Sequence, residues 1–101
     1  MEEDYIEDFT GVWTGTGDVL GTGDTERMTL YPGQYMVSDI RNVGSGGFQI
    51  LVDKYGTLGQ GSPLIEYKDG DSAVSCEADS WTVYTGPFTS QGWVKVRVSY
   101  P

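Results

Sequence analysis

The side chains able to do chemistry gather at the two ends of the chain. Near the C-terminus, Trp93, Lys95 and Arg97 alternate with Val94, Val96 and Val98. A strand there puts an indole and two cations on one face and three valines on the other. Such a face stacks sugars or docks a protein; in a two-sheet sandwich the same indole would instead close the edge of the core. Tyr67 and Tyr84 pose the same question more weakly. At the other end, Glu2, Glu3, Asp4, Glu7 and Asp8 are set among Tyr5, Ile6 and Phe9. A purely solvating tail needs fewer large apolar residues. Docked on a neighbouring subunit, the carboxylates would meet Lys or Arg and the apolar side chains would fill pockets. Folding of this segment onto its own body is the competing arrangement.

Catalytic equipment is missing. The chain has no His, so neither a Ser-His-Asp nor a Cys-His arrangement can form, and a metal site loses its commonest ligand. It has no phosphate-binding loop and no dinucleotide fingerprint. Paired carboxylates could hydrolyse a glycoside, but no stretch sets two acids on one pocket wall, and a small sandwich has little room for the cleft. We therefore expect no enzyme and no cofactor. The tetrapeptide Gly-Thr-Gly-Asp occurs at Gly15–Asp18 and again at Gly21–Asp24. Its spacing suits neither an EF-hand loop nor a nonapeptide β-roll, and turn chemistry explains it more simply than calcium does. Cys76 is the single cysteine, so no internal disulfide exists; it reads as a small hydrophobe in the core.

One hundred and one residues suffice for one domain with a modest core. The fifteen glycines fit many tight turns between short strands. No apolar run reaches the ~18 residues of a membrane span, and the acidic start Met1-Glu2-Glu3-Asp4 argues against a secretory signal. The net charge of -9 is uneven. Residues 1–26 carry eight acids and no base, whereas residues 27–101 carry seven acids and six bases and are nearly neutral. Nucleic-acid binding through phosphates is a poor fit to this balance. We divide the chain into an acidic arm, residues 1–10, and one domain, residues 11–101.

Strand signals follow one another through that domain. Residues 11–20 read as a first strand interrupted by glycine. Residues 26–31 turn Met28 and Leu30 inward, Pro32-Gly33 makes a turn, and residues 34–41 return with Tyr35 and Val37 opposite Met36 and Ser38. After the loop Gly44-Ser45-Gly46-Gly47, residues 48–55 form the most apolar strand, expected centrally with Phe48, Ile50 and Val52 buried. Residues 62–68 make a strand opened by Pro63, and Ala73–Ala78 is the one place for a helical turn. Trp81–Thr85 and the final strand at 93–100 flank a corner at Gly86-Pro87. Turns every eight to twelve residues or so, between about seven strands, predict an antiparallel β-sandwich, jelly-roll or immunoglobulin-like.

From Ser62 onward the chain resembles a small β-sandwich module of tailed-bacteriophage virion proteins. In that module an I-E-Y-R-T-G strand precedes a segment with one Cys, a W-x-x-Y-T-x-P-F corner and a final G-[YW]-V-x-V-R-V strand. The matching residues here are Ile65-Glu66-Tyr67-Lys68-Asp69-Gly70, Cys76, Trp81 to Phe88, and Gly92 to Val98. Lys68 and Asp69 depart from the module's Arg-Thr, and the N-terminal third has no counterpart. Such modules occur in tail fibres, receptor-binding proteins and head accessory proteins. The resemblance implies a structural accessory protein made in the host cytoplasm and located in the virion, foremost a capsid decoration (cement) protein. Its partners would be the major capsid protein or other virion subunits, bound through the acidic arm and one sheet face, with trimers around lattice axes as a fitting oligomer. A carbohydrate- or receptor-binding tail module is the alternative, and an acidic anti-defence inhibitor the third reading.

Overall fold

The computed structural model describes residues 2–4, 13–20, 27–50, 52–54 and 63–101. The fold is all-β and sandwich-like, with every strand pairing antiparallel. Its larger sheet runs β10 (Thr82–Val83), β9 (Leu64–Gly70), β12 (Trp93–Ser99), β5 (Tyr35–Val37), β2 (Thr14–Gly15), and β6 (Arg41–Asn42) joins β12 beside β5. A four-stranded sheet runs β3 (Asp18–Leu20), β4 (Arg27–Thr29), β1 (Glu2–Asp4), β8 (Val52–Lys54). A third, two-stranded sheet pairs β7 (Gly46–Phe48) with β11 (Phe88–Ser90).

β12 organises the larger sheet. Val94, Val96 and Val98 are buried while Trp93, Lys95, Arg97 and Ser99 are half-buried on the other face, as the alternation predicts. Opposite them on β9, Asp69, Tyr67 and Ile65 share the valine face, and Gly70, Lys68, Glu66 and Leu64 share the outer one. The valines meet Met28 and Leu30 from the chain around β4, with Met36 and Ile50, in a single core. Beside it, Tyr67 stacks on Phe88 at 3.9 Å between centroids, and Phe48 and Tyr84 pack against that pair. The Tyr84 hydroxyl accepts from the Ile50 amide at 3.1 Å.

Among the described residues twelve short strands stand where about seven were expected: three long runs are cut, and β1 and β11 are strands the sequence did not suggest. The run at 34–41 breaks at Ser38. Val37 faces Arg97 and Arg41 faces Val94, so three residues oppose two and the strand bulges. Buried Ser38 fills the gap, since its amide donates to Val96 O (2.8 Å) and its hydroxyl accepts from Val96 N (2.9 Å). Residues 48–55 do not form one central strand. Phe48 instead ends β7, which takes in Gly46-Gly47 of the expected loop, and Val52–Lys54 forms β8 at the edge of the four-stranded sheet, with the Ile50 amide between them bonded to the Tyr84 hydroxyl. The first run divides into β2 and β3 around a turn in which Thr16 N and Gly17 N donate to Tyr35 O.

Pro32-Gly33 turns the chain as expected, but between sheets rather than within a hairpin. Gln34 N donates to Tyr31 O at 2.9 Å, and Gly33 sits at φ 85°, the positive value that a type II turn requires after proline. β4 before it joins the four-stranded sheet and β5 after it joins the six-stranded one. The turn is clasped to the C-terminus, with Gly33 N donating to Tyr100 O and Tyr100 N to Gln34 O.

The helical turn falls where it was read, as α1 (Ala73–Ala78). Ser72 and Ser75 exchange side-chain to backbone bonds in a capping box, and Ser75 also donates to Asp71 at 2.8 Å. α1 seats on β9 because Gly70 has no side chain: a Cβ there would lie 2.8 Å from Cys76 Cα and closer still to its backbone nitrogen.

Candidate functional site

The outer face of the six-stranded sheet carries the chemistry, and it has two halves. On one half lies α1. Lys95 Nζ reaches Glu77 Oε2 of the helix at 3.2 Å, and Lys68 Nζ donates to the Glu77 carbonyl at 3.0 Å. These two lysines face each other across β9 and β12; like charges so placed repel, and Glu77 gives both an acceptor. Trp93, opposite Gly70, is half-buried at the same end of the sheet. Cys76 is fully buried beneath α1 with its Sγ 3.5 Å from Lys68 O. Burial first, then the carboxylates of Asp69, Asp79 and Glu77, push its thiol pKa above the ordinary 9.0, with Lys68 opposing. A thiol so held stays protonated and unreactive at neutral pH.

Trp81 marks the boundary between the halves. Lys68 Nζ lies 5.0 Å and Arg97 Cζ 4.4 Å from its ring centroid, so one indole takes two cations. Arg97 in turn donates from Nε (3.1 Å) and Nη2 (2.9 Å) to the same oxygen of Glu66, Oε1. That pair is partly desolvated, with 32% of the Arg97 side chain and 14% of the Glu66 side chain exposed. Stacked on one side and bridged along one edge, the guanidinium has a fixed orientation.

Beyond Trp81 the face is open. Tyr35, Leu64 and Val83 are 42%, 37% and 51% exposed, and the pairing register places them around the Arg97–Glu66 pair. A shallow groove of about 670 Å³, which leaves out Val83 opposite Glu66, is lined by Tyr35 and Leu64 with Val37, Glu66, Arg97 and Ser99, and reaches Gly33 and Pro101. It has the make-up of an interface patch, apolar and aromatic around a desolvated arginine.

Of the residues read as candidates, the structure puts Trp93, Lys95 and Arg97 on the expected face, but each cation already holds a carboxylate of its own chain. Glu2, Glu3 and Asp4 lend their backbone to β1, between β4 and β8; Tyr5, Ile6, Glu7, Asp8 and Phe9 lie outside the described residues. Gly15–Asp18 forms the β2–β3 turn, where Thr16 Oγ1 accepts from Tyr35 N; the repeat at Gly21–Asp24 also lies outside the described residues. Among the described residues no group of three His, Cys, Asp or Glu could hold a metal ion, and no helix is long and apolar enough to cross a membrane. Tyr35, Leu64, Glu66 and Trp81 were not singled out from the sequence. Their signal is the alternation of Leu64, Glu66 and Lys68 with Ile65 and Tyr67, which gains meaning only once β9 is known to lie beside β12.

No family model, no curated protein and no solved structure matches this chain.

Proposed function

We propose that the chain is a non-enzymatic structural accessory protein of a tailed-phage virion, foremost a capsid decoration protein that docks on assembled shell subunits. The observation that carries this reading is the open half of the outer face: exposed Tyr35, Leu64 and Val83 around an internally neutralised Arg97–Glu66 pair. The likeness of residues 62–100 to a virion module supplies the context. Binding only the assembled state stabilises the lattice by mass action, with the logarithm of ligand concentration over Kd. With Glu2–Asp4 engaged as β1, the sheet face takes the larger share of docking and the remaining acidic residues of the arm assist. The chain would be made in the host cytoplasm and reside in the virion, with the major capsid protein as partner.

Cosedimentation with shells that lack the chain tests this. The full-length protein should bind saturably, at a fixed number of copies per shell. The variants Tyr35→Asp and Leu64→Asp, both at exposed positions, should fold normally and bind at least about tenfold more weakly, a loss of about 1.4 kcal/mol. Failure of the full-length chain to bind removes the capsid reading.

A further inference from the structure

The groove on the outer face also says what kind of surface it receives, and this inference rests on the docking reading above. Both Arg97 donors spent within the chain go to one oxygen of Glu66. Among the described residues, Arg97 Nη1 and Glu66 Oε2 have no protein partner. The pair is therefore neutral as a unit, yet three of the five guanidinium N–H donors and the Glu66 Oε2 acceptor are left for a partner. An anionic partner at the unspent donors would sit beside the Glu66 carboxylate, and a cationic one at Oε2 beside the Arg97 guanidinium. Each would then meet a like charge at a partly desolvated site, so the neutral pair gives neither of them a net attraction. A group that is itself a neutral donor and acceptor pays neither penalty. A backbone peptide unit is such a group. The exposed apolar side chains that line it, Tyr35 and Leu64, suit the alternate side chains of an extended chain. The groove, about 670 Å³, is of a size that holds several residues.

We infer that this groove receives an extended, uncharged segment of the partner subunit, whose backbone bonds to the Arg97–Glu66 pair and whose apolar side chains cover Tyr35 and Leu64. The Trp81 stack is a positioning device: with Cζ 4.4 Å from the ring centroid, it holds the guanidinium against the sheet. Recognition of this kind is nearly independent of ionic strength, because no net charge is neutralised on binding. Docking led by the carboxylates of the N-terminal arm would weaken steeply with salt.

A random dodecapeptide library panned on the full-length chain, with counter-selection on Tyr35→Asp, tests the inference. The selected peptides should be uncharged with alternating apolar residues. They should shift the amide signals of Val37, Leu64, Arg97 and Ser99, and change less than about twofold in affinity between ~0.05 and ~0.5 M salt. Leu64→Asp, a second exposed position, should weaken them at least about tenfold. Enrichment of acidic or basic peptides, a steep salt dependence, or no enrichment over the blocked variant would overturn the inference. So would maltotetraose shifting the same amides where no peptide does, which makes the groove a sugar site. The shell experiment is independent of this one: a neutral consensus without shell binding removes the virion reading alone, and shell binding with a charged consensus removes the groove chemistry alone.

Discussion

Substituting Gly70 by alanine should unseat α1, and the sign of the effect is as informative as its size. Gly70 is buried, and its backbone does not occupy the positive-φ region, so alanine meets no conformational strain there. In the absence of a steric conflict, Gly→Ala would stabilise the protein by about 0.4–1 kcal/mol, through the lower entropy of the unfolded chain. The conflict is with backbone: the new Cβ would lie 2.8 Å from Cys76 Cα, nearer to Cys76 N, and also against Ser75 Oγ. Neither the strand nor a capped helix can yield as a side chain tip does, so overpacking costs about 1–3 kcal/mol. If α1 lifts, the bonds from Lys68 Nζ to Glu77 O and from Asp69 N to Asp79 Oδ2 are lost as well. Both are exposed and add only about 0.5–1 kcal/mol apiece. The net expectation is a loss of about 2–4 kcal/mol and a fall in Tm of roughly 10–30 °C. Urea unfolding measures the first and a thermal scan the second, while the rate of Cys76 modification by a thiol reagent reports helix lifting in the native state. A Gly70→Ala variant as stable as the parent, with Cys76 still protected, would refute the packing described for α1.

Three further outcomes follow from the same geometry. Ser38→Ala strips the bulge of its acceptor and leaves the buried Val96 amide unpaired, which should cost about 1–3 kcal/mol in urea unfolding; Ser38→Thr, keeping the hydroxyl, should cost less. Because the folded-state pKa of Cys76 is raised above the ordinary 9.0, its contribution to stability is complete well below that unfolded value and is lost as the pH climbs from there through the folded value. The stability difference between the parent and Cys76→Ala should therefore shrink from pH 7 to pH 10, and a constant difference would contradict the burial. For Arg97 and Trp81, a double-mutant cycle with Arg97→Met and Trp81→Leu should give a coupling of about 0.5–1 kcal/mol. A third of the arginine side chain is exposed, and solvent screening caps that value.

What could be read in the sequence is what local pattern encodes. Val94, Val96 and Val98 declare their face because a period of two survives wherever one side of a strand is buried. Ala73–Ala78 and the Pro32-Gly33 turn are equally local: a capping pair at Ser72 and Ser75 in one case, and a proline followed by the one residue that takes positive φ readily in the other. The sheet assignments were not legible. Nothing within residues 26–41 tells that the turn passes from one sheet to another, because a turn looks the same on either side of a sandwich. Likewise the hydrophobic run at 48–55 reads as one strand, and nothing within it tells that Phe48 ends β7 while Val52–Lys54 forms β8 in another sheet. The docking face was half visible. Arg97 was placed on the correct side by alternation, whereas its partners are Glu66, from a strand whose register no local signal sets, and Trp81, from the segment just before β10.

The most direct test of the account is a cryo-EM reconstruction of shells saturated with the full-length chain. The account predicts ordered density at lattice symmetry positions, with the half of the six-stranded sheet bearing Tyr35, Leu64 and Arg97 turned toward the shell. It also predicts an extended stretch of capsid polypeptide seated across the Arg97–Glu66 pair. Ordered density with that groove facing solvent, or shells left bare at saturating concentration, would contradict it.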